Sequence, residues 1–436
     1  MKVLLINPPD IYAKKGSKHY PLGLGYLATT LNQLGEKCEI LDLTTGNISL
    51  DKKVSDFNPD IIGVSVYSTT LLEVRSILNS LLPKYNGRLI AGGPHATLFP
   101  KETLSEGFNY VVKGEGEETL PELLKNLHNP KDIKGVAFKQ KDIFIENPNR
   151  PKIKNLDEIT YPDRTLFDLD AYKKNIVMGA RGCSNNCNFC SNWQINGGGI
   201  RRRSPHNIFD ELRYLSVNGG YKDLFIADDN FGVFRREKIE LCDLIINSGI
   251  NIDWAAQMRV DFVDKQLLEK MRAAGCSRIY FGVESGNQEI LDNANKRTTV
   301  SQSKIAIKLA KDVGMVVKVG IIIGLPGTYK QNLDSLNFIK ETLPEEVSVH
   351  HFVPFPGTEY WNNAEKYGIK ITDKTDFSSL YYHTVPKNLN FDYISKAEIV
   401  KLFQLFNDEL KSLGYVGPEE YSPGKKVVIT PLTRDR

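Results

Sequence analysis

The sequence predicts an α/β fold: an N-terminal doubly wound parallel sheet, a partial (β/α)6 barrel after it, and a short C-terminal helical segment. Three observations carry this prediction. Short apolar runs rich in Val and Ile alternate with longer amphipathic segments along the chain. The apolar runs lack internal polar alternation, which is typical of parallel strands covered on both faces. The 436 residues suffice for about two or three domains with their own cores.

Five strands and three helices are predicted in the first third of the chain. The strands are Val3 to Asn7, Cys38 to Leu43, Ile61 to Tyr67, Leu89 to Gly92 and Tyr110 to Lys113. The helices are Leu24 to Leu34, Leu71 to Leu82 and Glu117 to Leu127. A hairpin over 135–145 and a Pro- and Asp-containing segment over 149–170 are predicted to follow. We therefore predict a first domain over 1–147 and a linker over 148–170.

Six further strands are predicted after the linker. They are Ile176 to Ala180, Leu224 to Ala227, Ile252 to Ala256, Ile279 to Val283, Val317 to Ile323 and Val347 to Val353. Six βα units are fewer than the eight that close a complete barrel, so an open barrel is expected over 171–385. An amphipathic helix from Ser395 to Ser412 and an irregular tail make up 386–436. Chemistry is expected at the carboxyl ends of the barrel strands, where the βα loops emerge.

The composition excludes several classes of protein. Lys and Arg number 56 against 53 Asp and Glu, so the net charge is +3. The one basic cluster, Arg201 to Arg203, suits a surface turn or an anion contact better than nucleic-acid phosphates. The longest apolar stretch, Val316 to Leu325, contains Lys318 and is too short to span a bilayer. The N-terminus lacks a signal peptide's apolar region, so we expect a cytoplasmic protein without nucleic-acid partners or a membrane span.

Three of the six cysteines lie within eight positions, where Cys183, Cys187 and Cys190 form a CxxxCxxC motif. Such a cluster favours metal ligation in a reducing compartment over a disulfide scaffold. Three thiolates in one loop can bind three corners of a four-iron cluster and leave one iron open to an external ligand. The alternative is a closed zinc site, which needs a fourth ligand such as His206. The remaining cysteines are expected to be buried apolar residues: Cys38, Cys242 and Cys276.

This motif, with Phe189 before its last cysteine, resembles that of the radical S-adenosylmethionine (SAM) superfamily. The resemblance implies that the three cysteines hold a 4Fe-4S cluster and that its open iron binds SAM. Electron transfer from the cluster then cleaves SAM to a 5′-deoxyadenosyl radical, with an external donor of flavodoxin or ferredoxin type. The SAM-binding residues that the resemblance implies are Phe189, Asp228, Asp229, Arg259 together with Asp261, Glu284, Ser285 and Gly324. Loop capping by the two aspartates and ion pairs at the barrel rim remain the alternatives.

The N-terminal third resembles the cobalamin-binding domain found ahead of many radical SAM enzymes, through Pro21-Leu-Gly-Leu-Gly-Tyr-Leu-Ala28 and Gly114-Glu-Gly-Glu117. Ligands of such sheets bind at the carboxyl ends of the strands. The cobalamin-binding residues so implied are Ser65, Tyr67, Ser68, Thr69, Gly92, Gly93, His95, Gly114, Glu115 and Gly116.

The first loop lacks a DxHxxG motif, so no histidine is available there to ligate cobalt. The lower cobalt position is then faced by the segment Tyr67 to Thr70 or by His95, and a structural histidine is the alternative for His95. A rival interpretation makes Gly23 to Ala28 a GxGxxA dinucleotide motif with Asp42 as the ribose acid. That motif must follow the first strand directly, whereas about 14 residues intervene after Pro8.

The two resemblances together imply an enzyme, a radical SAM methyltransferase that methylates an unactivated carbon of a small-molecule or natural-product intermediate. Four alternatives remain: a cyclase or rearrangement enzyme that uses cobalamin without methyl transfer, a radical SAM enzyme with a non-corrinoid N-terminal domain, a methylthiotransferase, and a non-catalytic metal-binding module. Candidate substrate-facing segments are the loop Ile11 to Tyr20, the C-terminal helix, and the set Trp193, His350, His351, Tyr381, Tyr382 and His383.

Overall fold

The computed structural model describes residues 1–9, 19–172, 175–377, 380, 385–417 and 425–429. The chain separates into two units, 1–176 and 177–436, each with its own set of internal contacts. In this described part of the chain, no helix combines the length and apolar character that crossing a membrane requires.

The first unit is built on a seven-stranded sheet. Its strands are β1 (Lys2–Asn7), β2 (Lys37–Asp42), β3 (Ile61–Ser65), β4 (Arg88–Gly92), β5 (Tyr110–Val112), β6 (Val136–Gln140) and β7 (Ile143–Glu146). The helices described in it are α1 (Leu22–Gln33), α2 (Leu50–Phe57), α3 (Leu71–Leu81), α4 (Pro94–Leu98), α5 (Pro100–Ser105) and α6 (Gly116–Lys125). The strand order is β2-β1-β3-β4-β5-β6-β7. The first five strands pair in parallel, and β6 and β7 add the expected antiparallel hairpin.

The central strands of this sheet are buried on both faces, as their apolar runs predict. Val3 to Ile6 of β1 are at most 2% exposed. The strand order reverses at β1, because β2 pairs with one edge of β1 and β3 with the other. In an open α/β sheet, ligands bind at the carboxyl ends of the strands that flank such a reversal. The loops after β1, β3 and β4 therefore frame the candidate binding edge of this unit.

The segment 148–170, expected to be a linker, is fastened to the first unit by hydrogen bonds. The Arg150 guanidinium binds Glu122 and, through Nε, Thr119 Oγ1 at 2.9 Å. The backbone N–H of Ile153 donates to Glu115 at 3.0 Å, and that of Asp163 to Thr29 at 2.8 Å. These contacts make the segment part of the first unit.

The dinucleotide interpretation of Gly23 to Ala28 fails on the local structure. These residues lie inside α1, whereas a phosphate-binding fingerprint requires a turn directly after the first strand. Asp42, the ribose acid of that interpretation, accepts hydrogen bonds from Asn7 at 2.9 Å and from Tyr172 at 2.7 Å. Its carboxylate is therefore part of the local fold.

Among the described residues, the second unit carries the partial barrel and two two-stranded sheets. The strands are β8 (Asn175–Val177), β9 (Ala180–Arg181), β10 (Arg201–Arg202), β11 (Asp223–Ile226), β12 (Asp253–Met258), β13 (Cys276–Glu284), β14 (Val316–Ile323), β15 (Glu346–His351), β16 (Ile369–Ile371), β17 (Leu389–Phe391), β18 (Tyr415–Val416) and β19 (Lys426–Ile429). The helices described are α7 (Asn192–Asn196), α8 (Pro205–Arg213), α9 (Arg235–Ser248), α10 (Lys265–Ala273), α11 (Gln288–Asn293), α12 (Val300–Asp312), α13 (Tyr329–Thr342), α14 (Glu359–Asn362) and α15 (Lys396–Ser412).

The six predicted barrel strands are adjacent in the main sheet, whose order is β18-β19-β15-β14-β13-β12-β11-β8. Pairing from β11 to β15 is parallel, as βα units require. The prediction of an irregular tail was wrong, because β19 pairs in parallel with β15 and β18 with β19. Strands of two and four residues are too short to show a periodic pattern.

Alternation along β13 and β14 separates an apolar face from a polar one. Ile279, Phe281 and Val283 are at most 1% exposed, whereas Tyr280 and Glu284 between and beyond them are partly accessible. Because successive side chains of a strand point to opposite faces, the polar residues share one face of the sheet. This alternation places Glu284 at the carboxyl end of β13.

The basic run from Arg201 to Arg203 is engaged in internal contacts. Arg202 pairs with Glu237 at 2.8 Å and stacks its guanidinium 3.9 Å from the centre of the Phe234 ring. Arg203 is 3% exposed and forms a buried ion pair with Glu211. The expectation of a surface turn or anion contact was therefore wrong for Arg203, whose guanidinium is buried in an ion pair with a residue of α8.

Candidate functional site

The loop that carries the three cysteines is held in place by contacts that involve no sulfur. Asn188 donates from its backbone N–H to Ala294 O at 2.9 Å and from Nδ2 to Asn293 O at 2.7 Å. Asn295 in turn donates to Asn186 O at 2.6 Å. The loop therefore rests on the carboxyl end of α11.

The entry into this loop depends on a glycine. Gly182 has a φ of +93°, a backbone conformation that side chains other than hydrogen disfavour. A Cβ atom at this position would lie 2.5 Å from the carbonyl oxygen of Gly199. Gly182 thus allows the chain to pass close to the segment before β10.

The three thiols lie in a partly desolvated setting with cationic neighbours. Cys187 is buried, and Cys183 and Cys190 are half-buried. Burial raises the pKa of Cys187, while Lys296 and Arg259 act to lower it. Burial likewise raises the pKa of Cys190 to about 11. A bound metal cluster would have to stabilise the thiolate forms, and positive neighbours assist that.

The donor set fits an iron–sulfur cluster better than a closed zinc site. In the part of the chain that the structure describes, no three or more His, Cys, Asp or Glu side chains are arranged so that they could hold a single metal ion. In a cubane each cysteine binds its own iron, so its ligands need not converge on one point. His206, the fourth ligand of the zinc alternative, is exposed at the start of α8 and lies 3.6 Å from Glu240.

Asp228 and Asp229, both expected to contact SAM, have different environments. Asp228 is fully buried, and its Oδ1 accepts from the backbone N–H groups of Gly179 at 2.6 Å and Ala180 at 2.9 Å. Its Oδ2 binds Lys238 Nζ at 2.7 Å. With both oxygens engaged, Asp228 fits the loop-capping alternative rather than a contact with SAM.

Asp229 is the accessible member of the pair. It accepts a hydrogen bond from the Gly182 N–H at 3.1 Å and faces the side chain of Asn192. Desolvation raises the pKa of its carboxyl group, opposed by the hydrogen bonds from Asn192 and Gly182. In this way Asp229 links the end of β11 to the start of the cysteine loop and keeps a carboxylate there.

Arg259 lies beside the thiols rather than at an open rim. Its guanidinium forms a two-point ion pair with Asp261, at 2.9 and 3.0 Å. Nη2 also donates to the carbonyl oxygen of Lys296 at 2.7 Å, and Nη1 lies 3.9 Å from Cys187 Sγ. These contacts fit the ion-pair alternative, and the SAM contact of Arg259 stays a prediction.

Glu284 also belongs to an ion pair at the carboxyl end of β13. It has a φ of +70° beside a register shift between β13 and β14, and it binds Lys296 Nζ at 3.0 Å. A side chain on Gly282 would collide with this carboxylate. The Lys296 ammonium lies 5.8 Å from the centre of the Phe189 ring, so the pair adjoins the cysteine motif.

Ser285 and Gly324 make structural contacts in the places where SAM contacts were expected. Ser285 is 1% exposed, and its hydroxyl accepts from the Asn287 N–H at 3.1 Å. The N–H of Gly324 donates to Asn332 Oδ1 at 2.8 Å, and its carbonyl accepts from Tyr393 at 3.1 Å. The Ser285 hydroxyl and the polar backbone groups of Gly324 thus form hydrogen bonds within the second unit.

The expected cobalamin residues of the first unit gather at the carboxyl ends of β3, β4 and β5. Gly93 has a φ of +95°, and a Cβ there would lie 3.1 Å from Val66 N and 3.2 Å from Ser65 Oγ. Ser65, Ser68, Thr69 and Gly92 are half-buried, and Tyr67 is 45% exposed. Small residues beside an accessible tyrosine leave room for a ligand at this edge.

His95 is a buried residue that the local structure holds in place. It is 1% exposed, its Nδ1 lies 2.9 Å from Ser68 Oγ, and its ring packs 5.1 Å from that of Phe99. Burial lowers the pKa of His95 to about 4, so the ring is neutral at neutral pH. This supports the structural alternative for His95 over a role as a ligand of cobalt.

The turn after β5 contains two glycines, and a different structural constraint requires glycine at each position. Gly114 has a φ of +70°, and its N–H donates to Thr97 Oγ1 at 2.9 Å. A Cβ on Gly116 would lie 2.9 Å from Leu27 Cδ2, so this glycine lets α6 approach α1. Glu115 between them accepts from the Ile153 N–H at 3.0 Å and joins 148–170 to the turn.

The candidate substrate-facing residues that the structure describes each have a local packing or hydrogen-bond partner. His351 is 4% exposed and stacks on Phe403 at 4.2 Å, which is core packing. His350 Nε2 lies 2.7 Å from Ser348 Oγ, and Trp193 packs over Gly198. Tyr381, Tyr382, His383 and residues 11–18 of the first loop lie outside the described residues.

Sequence reasoning missed the lysines and asparagines that organise the site. Lys238 compensates Asp228, Lys296 pairs with Glu284, and Asn332 fixes the backbone at Gly324. Each contact joins residues 8 to 12 positions apart across the end of a strand. A search for lysines and polar amides a short distance beyond each acidic strand end could have found them.

Comparison with known families identifies the two units. The family described as "Radical SAM superfamily" matches residues 177–339, and the family described as "B12 binding domain" matches residues 9–124. A methyltransferase of Pyrococcus horikoshii, described as uncharacterized, is 30% identical over 426 residues, which cover 93% of this chain and 91% of that one. The chain belongs to the radical SAM enzymes that carry a cobalamin-binding domain. The family resemblance, the fold class, the enzyme class and the three cofactors are thereby confirmed.

One further relative and one solved structure are similar to the chain over most of its length. The anaerobic magnesium-protoporphyrin IX monomethyl ester cyclase of Rubrivivax gelatinosus is 27% identical over 429 residues, covering 92% of this chain and 75% of its own. The structure of the radical SAM methyltransferase TsrM from Kitasatospora setae, with cobalamin and a 4Fe-4S cluster bound, has a TM-score of 0.77 at 18% identity. It covers 98% of this chain and 92% of its own, which confirms the fold.

Asp228→Asn is expected to destabilise the second unit strongly. The substitution leaves the Lys238 ammonium buried without its counter-charge, which costs about 3–5 kcal/mol of unfolding free energy. Asp229→Asn, a matched change one residue away, should cost about 1 kcal/mol or less because the side chain is accessible. Urea unfolding followed by tryptophan fluorescence measures both, because Trp193, Trp254 and Trp361 all lie in the second unit. Equal losses in the two variants would contradict the structural assignment of Asp228.

His95 is expected to make the first unit less stable in mild acid. Its pKa is about 4 when folded and about 6.5 in an unfolded chain, so between these values the unfolded state binds more protons. Its contribution is complete above pH 6.5 and is lost as the pH falls towards 4. From pH 7 to pH 5 this loss amounts to about 2 kcal/mol.

Hydrogen exchange of peptides from β3 and β4 tests this titration. The wild type should lose about 2 kcal/mol more protection over that interval than His95→Gln. The variant His128→Gln, at an exposed histidine of the same unit, serves as the control and should behave as the wild type. An identical pH dependence in wild type and His95→Gln would refute the buried neutral state.

Proposed function

We propose that this enzyme transfers a methyl group to an unactivated carbon of a small-molecule or natural-product intermediate. The observation that carries the proposal is a whole-chain similarity: the Pyrococcus horikoshii relative, described as a methyltransferase, spans both units of this chain. The cyclase of Rubrivivax gelatinosus makes ring formation the second candidate. An external one-electron donor of flavodoxin or ferredoxin type would supply the reductant.

In this proposal Cys183, Cys187 and Cys190 hold the 4Fe-4S cluster. The edge formed by Ser65, Gly92, Gly93 and the turn from Gly114 to Gly116 holds cobalamin. When bound, the cofactors supply an electron that cleaves SAM, a hydrogen-abstracting radical and a methyl group. The chain itself binds, orients and shields the reactants.

Asp229 is proposed to orient the amino group of SAM. Its carboxylate is accessible, stands one hydrogen bond from the cysteine loop through Gly182, and is braced by Asn192. An ammonium group is a natural partner for a carboxylate that lacks a nearby lysine or arginine among its described contacts. Asp228 supports this role indirectly, because its contacts with Gly179 and Ala180 fix the backbone that leads into the cysteine loop.

Asp229→Asn is expected to weaken SAM binding about tenfold or more, because it replaces a charge-assisted hydrogen bond with a neutral one. Iron content and stability should stay close to those of the wild type. Isothermal titration of the cluster-loaded protein with SAM under anaerobic conditions measures the change in Kd. Asp253→Asn, an exposed carboxylate at the amino end of β12, is the matched control. An unchanged Kd in Asp229→Asn would remove this residue from the SAM site.

Isotope labelling separates methyl transfer from ring formation before the substrate is known. The full chain, reconstituted anaerobically with iron, sulfide and hydroxocobalamin, is given a reductant and SAM that carries a deuterated methyl group. A methyltransferase is expected to yield S-adenosylhomocysteine and a corrinoid that has gained the label, both detected by mass spectrometry. Formation of 5′-deoxyadenosine should require the three cysteines.

Two results would contradict the proposal. Deoxyadenosine without S-adenosylhomocysteine or labelled corrinoid would favour the cyclase or rearrangement class. Deoxyadenosine without any bound corrinoid in the visible spectrum would assign the first unit another ligand. A variant with Cys183, Cys187 and Cys190 changed to Ala is the control for the cluster, and it should form no deoxyadenosine.

A further inference from the structure

The Arg259 guanidinium is held next to a cysteine sulfur by three hydrogen bonds to two residues. The residue is 6% exposed, and Nε and Nη2 form a two-point ion pair with Asp261. Nη2 also donates to Lys296 O at 2.7 Å. The remaining nitrogen, Nη1, lies 3.9 Å from Cys187 Sγ, within the range of a hydrogen bond to sulfur. The protein thus aims one N–H edge of a buried cation at one thiol.

A buried cation beside a ligand sulfur changes the balance between two redox states. One-electron reduction of an iron–sulfur cluster adds one negative charge, and an arginine retains its positive charge in both states. Hydrogen bonds to the sulfurs and nearby charge are among the factors that set the potentials of such clusters. Low dielectric strengthens the effect, because water screens a buried pair only weakly. Arg259 therefore favours the reduced state of any cluster on Cys187.

We propose that Arg259 is a positioning residue that raises the reduction potential of the cluster through its hydrogen bond to Cys187. An external one-electron donor then delivers its electron to the cluster more readily, with no proton taken up in the step. This inference rests on the proposed placement of the cluster on Cys183, Cys187 and Cys190. It is an alternative to the SAM contact predicted for Arg259.

Substitution of Asp261 should shift the reduction potential in the direction opposite to substitution of Arg259. Its carboxylate neutralises part of the Arg259 charge and has a side chain that is 22% exposed. Removing the guanidinium lowers the potential, whereas removing the carboxylate charge raises it. A loss of packing would not move the two variants in opposite directions.

The test is a redox titration of the reconstituted full chain, followed by electron paramagnetic resonance in the absence of SAM. Arg259→Met should reduce the equilibrium constant for cluster reduction about tenfold, which is a fall of about 59 mV for a one-electron couple. Asp261→Asn should raise the potential above that of the wild type. Arg278→Met is the matched control: Arg278 pairs with Glu346 at 3.0 Å near the amino end of β13, so the potential should not change.

Each outcome decides between the two roles of Arg259. An unchanged potential in Arg259→Met with a weaker Kd for SAM would overturn the proposal and favour the predicted SAM contact of Arg259. If Arg259→Met holds no iron, Asp261→Asn decides, because an upward shift supports the proposal and no shift overturns it. Iron retained by the variant with all three cysteines changed to Ala would instead show that the cluster lies elsewhere, and the proposed function would fail with it.

Discussion

The buried carboxylate of Asp228 is the contact on which the rest of the site depends. It gathers two backbone N–H groups that precede the cysteine loop and the ammonium of Lys238 on α9. Desolvating two charges is costly, and a buried pair is tolerated only when its hydrogen bonds are complete. The next residues extend the same junction: Gln257 donates to Asp228 O at 3.0 Å, and Asn230 accepts from the Arg259 N–H at 3.1 Å. One short turn after β11 thereby registers β8, β12 and the cysteine loop.

Charge around the cysteines is divided into two parts. Arg259 and Lys296 place two cationic groups beside Cys187, each paired with a carboxylate. Asp229 lies where β11 ends and makes the other part negative. Each charged group is held by a second contact: Arg259 by Asp261, Lys296 by Glu284, and Asp229 by the Gly182 N–H. Such second contacts keep charged side chains in place before a ligand arrives, which is what electrostatic preorganisation requires.

The architecture could be predicted from the sequence because local patterns of apolar residues and cysteines indicate its strands and its motif loop. Apolar runs located the main strands of both sheets to within a few residues, and the cysteine spacing located the motif loop. The short strands β18 and β19 were not predicted, because they show no periodicity of their own. They are defined by pairing, β19 with β15 and β18 with β19. The site was predictable only as a set of positions. Whether Asp228 or Asp229 is accessible depends on Lys238, a residue ten positions away on a helix, and no spacing rule reveals that choice.

The way in which the cysteine loop is held makes its shape depend on residues outside the motif. Asn188 and Asn295 hold the loop against the end of α11 through amide and carbonyl groups. The positions of the three sulfurs are therefore set partly by contacts that contain no sulfur. A substitution at either asparagine would disturb the motif while leaving every cysteine in place.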